Sequence, residues 1–281
     1  MLINYLKIAL RSLWRNKLFS AINIVSLAIS MAVGVGMILS LKANFDTDHF
    51  HPYFDRTYRV LTTATNADGQ SRWATVPQPL SSTIRSMHRV EQTVEVRHGN
   101  PVRAKTDKGD ITVNTTFTEP SFFQVFGFAL TTGNAQQALT SPTAVLLSQR
   151  TARQLFGDQS PLGQSIQFDG LGWFTVAGVI QQPPLRTHLP VEAVFSLQTA
   201  QSLEKAGHLP VLSTDWQQYQ TTSLYALLRS SDDIAPFNNA LSQLGRSFQR
   251  DGQKLQLGFT AQTLESITPW DPAIRNDMHA G

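Results

Sequence analysis

No cysteine occurs anywhere in the 281 residues. A disulfide framework, a thiolate metal site and a cysteine nucleophile are therefore excluded, and the folded part must rest on an ordinary apolar core. Acidic residues are absent from the whole N-terminal segment; the first is Asp46. Long apolar runs are scarce too, since only one stretch, residues 18–41, carries 24 residues without a charge and without a break in hydrophobic character. A second charge-free stretch, 120–149, is interrupted by the sequence TTGNAQQALTSPT at 131–143. Gly, Asn, Gln and Pro at a bilayer midplane are costly, so it reads as a short amphipathic helix, a loop and a buried strand.

The catalytic motifs are missing as well. There is no G-x-S-x-G, no S-x-x-K with its partner motifs, no H-E-x-x-H and no P-loop, so the chain is read as a non-enzyme that does not hydrolyse ATP by that route. Asp46, Asp48, His49, His51 and Asp55 crowd into ten residues and could ligate a divalent ion. Adjacent Asp48 and His49 point different ways, however, and no H-x₃-H pair is present, so the sequence predicts a polar juxtamembrane segment, no metal and no cofactor. His88, His98, His188 and His208 are scattered and read as surface residues.

What is present is direction. A helix of 24 residues reaches about 36 Å, enough to cross a hydrocarbon core of about 30 Å. Lys7, Arg11, Arg15 and Lys17 precede it with no acid, whereas Lys42 follows it together with Asp46 and Asp48. The positive-inside rule then puts the N-terminus in the cytoplasm and residues 42–281 outside. Signal peptides have apolar cores of about 7–15 residues, and Leu41-Lys42 before Ala43 makes a poor cleavage pattern, so the segment reads as a retained anchor. Ahead of it, residues 2–15 place Leu2, Leu6, Ala9, Leu10, Leu13 and Trp14 on one side and Asn4, Lys7, Arg11 and Arg15 on the other. Such a helix would lie along the cytoplasmic membrane surface; the alternative is that it continues the spanning helix.

Within the anchor, Ser26, Ser30 and Gly34 recur every four residues, and Ala28, Ala32 and Gly36 form a neighbouring stripe. Small residues at this spacing let companion helices approach, although they are also common in any membrane helix. The formal charge of +3 does not indicate a nucleic-acid partner, because past Lys17 only 19 basic residues remain against 20 acidic ones. The positive charge belongs to topology and anionic lipid.

Beyond the anchor the pattern predicts a strand over 57–65 turned at 66–69, a helix over 79–87, and strands over 90–97 and 111–117 around turns at 99–100 and 108–110. A short helix follows over 120–126. A βαβββ unit comes next: a strand at 144–147, a helix over 148–156 capped by Ser148, and strands at 165–168, 174–180 and 191–197. Residues 198–220 read as polar and irregular. A strand at 223–228, a helix over 232–248 and a strand at 255–260 end the series.

Five strings in order carry a likeness: NYLKIALRSLWRNKLFSAINIVSLAIS from Asn4, FDTDHFHPYFDRTYRV from Phe45, EPSFFQVFGFALTTGN from Glu119, LLSQRTARQLFGDQSPLGQSI from Leu146 and FTVAGVIQQPPLRTHLP from Phe174. Together they resemble the N-terminal half of MacB/FtsX-type ABC transporter permeases. The resemblance implies an α+β architecture: a cytoplasmic amphipathic helix (1–17), a transmembrane helix (18–41) and a MacB-like periplasmic core domain (42–281). In that core a porter-like subdomain (54–139 and 221–260) is interrupted by a smaller inserted subdomain (140–220). It also implies a cytoplasmic ABC ATPase subunit near the 2–15 helix, companion transmembrane helices or a second permease copy in a dimer, periplasmic partner proteins and an inner-membrane location. The family continues into three more membrane helices that this sequence does not contain. A shortened or separately completed permease is the expectation, and an anchored extracytoplasmic binding or sensor module is the alternative.

Overall fold

The computed structural model describes residues 2–67, 69–106, 109–247, 255–268 and 271–275. It divides into two units, Met1–Phe45 and Asp46–Gly281. Parts of the turns read at 66–69 and 108–110, and the last residue of the helix read over 232–248, lie outside the described residues.

The first unit holds two helices, α1 (Leu2–Arg15) and α2 (Lys17–Phe45), with the break at Asn16. α2 is 29 residues long and none of its side chains is buried. An apolar helix that hides no face within its own unit is built for an apolar solvent.

The second unit is sheet-rich. Its strands are β1 (Thr57–Asn66), β2 (Gly69–Trp73), β3 (Val90–His98), β4 (Val102–Thr106), β5 (Gly109–Val113), β6 (Thr115–Thr118), β7 (Leu130–Gly133), β8 (Ala144–Ser148), β9 (Ser165–Phe168), β10 (Gly172–Ile180), β11 (Ala193–Ser196), β12 (Thr222–Leu228), β13 (Gln256–Thr263) and β14 (Ile274–Arg275). Its helices are α3 (Leu80–Arg85), α4 (Ser121–Phe126), α5 (Ala135–Ala138), α6 (Gln149–Phe156), α7 (Leu197–Lys205) and α8 (Ile234–Ser247). The strands join in the order β14-β2-β1-β12-β3-β6-β11-β8-β10-β9-β4-β5, with β13 added on β1 and β7 on β10. The ladder is mostly antiparallel, but β11 runs parallel to β6, β8 parallel to β10 and the short β14 parallel to β2. Mixed α and β structure behind one apolar N-terminal helix is the class the sequence predicts.

Local chemistry explains the ends of the elements. Ser148 caps α6 through a bond from the Thr151 N–H, as its sequence position predicts, and Ser196 caps α7 the same way through Thr199. That second helix corrects the reading of 198–220 as irregular. Ala200 and Leu203 turn inward while Gln198, Gln201 and Ser202 stay exposed, so the buried stripe is too narrow to stand out in a polar stretch. The β4–β5 hairpin is a second addition: β4 pairs with β9, far along the chain.

Three large apolar clusters hold the sheet. One centres on Val60, Leu80, Ile84, Leu224, Phe237 and Phe259 under α3 and α8. Another joins Phe117, Leu147, Leu155, Phe168, Phe174 and Phe195 beneath α6 and α7. Between them lies a ring-rich cluster of Phe122, Phe126, Phe128, Val194 and Tyr225, into which Phe50 and Phe54 pack. The segment following α2 is therefore stitched into the middle of the sheet.

Candidate functional site

Asp48, His51 and His188 converge beneath that middle cluster, and each is 3% exposed or less. Local backbone explains the first two. Asp48 has φ +66°, the left-handed region that Asp tolerates better than most residues. This turns residues 48–51 back on themselves, with the His51 N–H donating to the Asp48 carbonyl at 3.0 Å. Gly127, at φ +69°, ends α4; a Cβ there would meet the Pro52 ring at 2.7 Å, so glycine lets Pro52 close over the site. His188 arrives from the loop between β10 and β11.

The hydrogen bonds close on themselves. Asp48 Oδ1 accepts from the His188 backbone N–H at 3.1 Å and faces His51 Nε2 at 3.1 Å; Oδ2 accepts from His188 Nδ1 at 2.6 Å. The Thr187 side chain supplies a further bond. Four donors fill the lone-pair positions of one carboxylate. His51 Nδ1 lies 2.6 Å from the Phe126 carbonyl oxygen, which can only accept. Both ring nitrogens of His51 thus face oxygens. His188 Nε2 faces the Tyr225 hydroxyl at 2.8 Å and accepts from it.

Burial works against the Asp48 charge, yet the interactions with His188, His51 and Thr187 outweigh it and hold the carboxyl well below the usual range. Burial pushes His188 down despite its carboxylate partner, leaving a neutral ring. An Asp–His–hydroxyl relay is the order used by acid–base catalysts. Here every member is sealed from solvent, so the arrangement serves as a tie between the segment after α2, the 186–188 loop and β12.

The same three residues offer ligand atoms within 4.8 Å of one another and could in principle hold a divalent ion. The outer nitrogen of His51 faces a carbonyl, as a metal-bound imidazole requires, whereas that of His188 accepts from Tyr225. Against that, the carboxylate is already saturated, and Arg59, opposite Tyr225 in the β1–β12 register, already adds positive charge near His188. A divalent ion would have to displace the ring protons that now bond the carboxylate. As bonded, the set is a closed hydrogen-bond network.

A second buried tie lies toward α7. Arg97 on β3 donates to Glu204 Oε1 at 2.5 Å and to the Pro210 carbonyl at 3.0 Å. Glu204 also receives the Leu212 N–H and the Ser213 hydroxyl, each at 2.8 Å. Burial opposes its charge, but the bonds from Leu212, Ser213 and Arg97 prevail and lower its pKa.

The juxtamembrane cluster read from the sequence is thus divided. Asp48 and His51 enter the site, whereas Asp46, His49 and Asp55 do not. His188 was read as a surface residue and is instead fully buried; His98 is half-buried beside Ser223. His88 and His208 are exposed as expected. His188 falls within one of the strings that carry the likeness, but no ligand or catalytic spacing singles it out, because its partner is 140 residues away. Ser26, Ala28, Ser30, Ala32, Gly34 and Gly36 all sit exposed on α2, with the Ser30 hydroxyl turned back to the Ser26 carbonyl at 2.9 Å. Lys7, Arg11 and Arg15 are exposed on α1, and Lys17 and Lys42 lie in the first and last turns of α2.

Two solved structures share the fold. A domain of a protein described as a permease from Porphyromonas gingivalis superposes with a TM-score of 0.64 at 18% identity, covering 76% of this chain and 91% of that one. The extracellular domain of the noncanonic ABC-type transporter YknZ from Gram-positive bacteria superposes with a TM-score of 0.52 at 15% identity, covering 73% and 99%. No curated relative matches in sequence. The model of the MacB-like periplasmic core domain matches residues 20–244, most of the chain, and the chain belongs to that family.

Proposed function

We propose that this chain is a membrane-anchored permease component of a MacB/FtsX-like ABC system. α2 crosses the inner membrane from a cytoplasmic N-terminus, and residues 42–281 stand in the periplasm. ATP is hydrolysed by a separate cytoplasmic subunit that contacts the α1 region. The stripes Ser26/Ser30/Gly34 and Ala28/Ala32/Gly36 receive companion helices or a second copy of the permease. Within the domain, 54–139 and 221–260 act as the porter-like part and 140–220 as the insertion, to which the β4–β5 hairpin adds its edge.

The observation that carries this reading is the buried Asp48–His51–His188–Tyr225 network, which begins three residues after α2 ends. The segment that follows α2 is thereby held in the centre of the sheet, so a pull on this segment reaches the core of the domain. Its chemistry is that of a mechanical coupling between ATPase-driven movement and substrate or partner handling in the periplasm.

Purification of the full chain in mild detergent tests the reading. Recovery of a P-loop ATPase together with the chain is the expected result. An intact chain recovered repeatedly without one would favour an anchored binding or sensor module.

A further inference from the structure

Glu95 lies in mid-β3, opposite Leu224 of β12, and is 4% exposed. Its Oε1 atom has no hydrogen-bond donor, and neither does the buried Oε1 of Gln78, two residues before α3. Gln78 and Ser81 both reach the Glu95 carboxyl. Two buried oxygens that can only accept, one on each side chain of this contact, are therefore left without a donor. A proton on Glu95 removes the cost of burying a charge on the unpartnered carboxyl oxygen.

The charged groups nearby do not remove this deficit. Glu119 accepts from the Glu95 backbone N–H at 3.3 Å, and its carboxylate is gripped by Arg85 at 2.8 and 2.9 Å. Arg85 spends its Nε on the Thr93 hydroxyl at 2.9 Å. Arg97, two residues along β3, is committed to Glu204. The neighbouring Arg–Glu pair is thus closed on itself, and β12 presents only an apolar side chain.

We propose that Glu95 is a neutral carboxylic acid in the folded domain, and that its protonation beneath α3 makes the α3–β3 contact pH-sensitive. Burial pushes the carboxyl up to about 7; Glu119 adds to the shift, while Ser81, Gln78 and Arg85 oppose it. Leu80 and Ile84 of α3 are fully buried against the sheet, so the proton sits under an element whose apolar side already faces the core. As pH rises through neutrality the buried carboxylate must form with its Oε1 left without a donor, and α3 loosens. The sign is the reverse of an ordinary paired carboxylate: a raised pKa gives stability that is full below the unfolded value and is lost as pH rises through the folded one.

The test compares the full-length protein with its Glu95→Gln variant in detergent micelles, by urea unfolding between pH 5 and 8.5. The amide is uncharged, as the protonated acid is, and cannot titrate, and the histidines are common to both proteins. The unfolding constant of the wild type relative to E95Q should rise on the order of 100-fold across this range. Parallel pH profiles would overturn the proposal and assign the two oxygens to a bridging water. Should E95Q fail to fold, selective carboxyl ¹³C labelling of the six glutamates in the wild type gives the same answer. One signal titrating near neutrality supports the proposal, and all six titrating below pH 6 refute it.

Discussion

None of the 29 residues of α2 is buried, whereas the domain that follows seals Arg97, Glu204, Asp48 and two histidines inside its apolar clusters. The helix leaves its apolar surface for other molecules to cover. The domain satisfies even its charges internally. Changes in α2 should therefore alter what the chain assembles with, and changes in the domain should alter its own stability.

The sharpest attempt to break this contrast is Asp48→Ala. It leaves His51 and His188 buried without their acceptor and should cost about 3–5 kcal/mol in urea unfolding, with the helical signal of α2 unchanged. Glu204→Ala strands Arg97 and two further donors. A loss of about 3 kcal/mol is expected there, again confined to the domain.

A smaller effect follows from His98, which dense packing pushes down to about 4. A depressed pKa gives stability that is full above the unfolded value near 6.5 and is lost as pH falls toward 4. Allowing for its partial exposure, acidification should cost about 1–2 kcal/mol through this residue, and His98→Asn should flatten that limb of the pH profile. Ser148→Ala removes the α6 cap and should cost about 1 kcal/mol. Gly34→Leu should leave domain unfolding unchanged while reducing recovery of companion helices; undiminished recovery would remove the stripe from the account.

How much of this was legible in the sequence depends on the range of the interactions. The anchor, the helix over 148–156 and the strands at 57–65, 165–168 and 223–228 are visible because periodicity, caps and charge act within a few residues. The parallel pairings β6–β11 and β8–β10 are not, since they depend on chain crossings no local pattern encodes. The site was half visible: Asp48 and His51 stood out as a polar cluster, but their partner His188 looked like any isolated histidine. The tie exists only because the chain returns 140 residues later. Glu95 was equally silent, as an alternating strand gives no sign that one of its carboxyls is covered on its other side.

The absence of native cysteine makes the central claim, a spanning α2 with its domain outside, directly measurable. Single cysteines placed at Ser12 on α1 and at Trp173, an exposed side chain on β10, can be probed in spheroplasts with a membrane-impermeant maleimide. The account predicts labelling at 173 before lysis and at 12 only after it. Labelling at 12 in intact spheroplasts, or protection of 173, would contradict it.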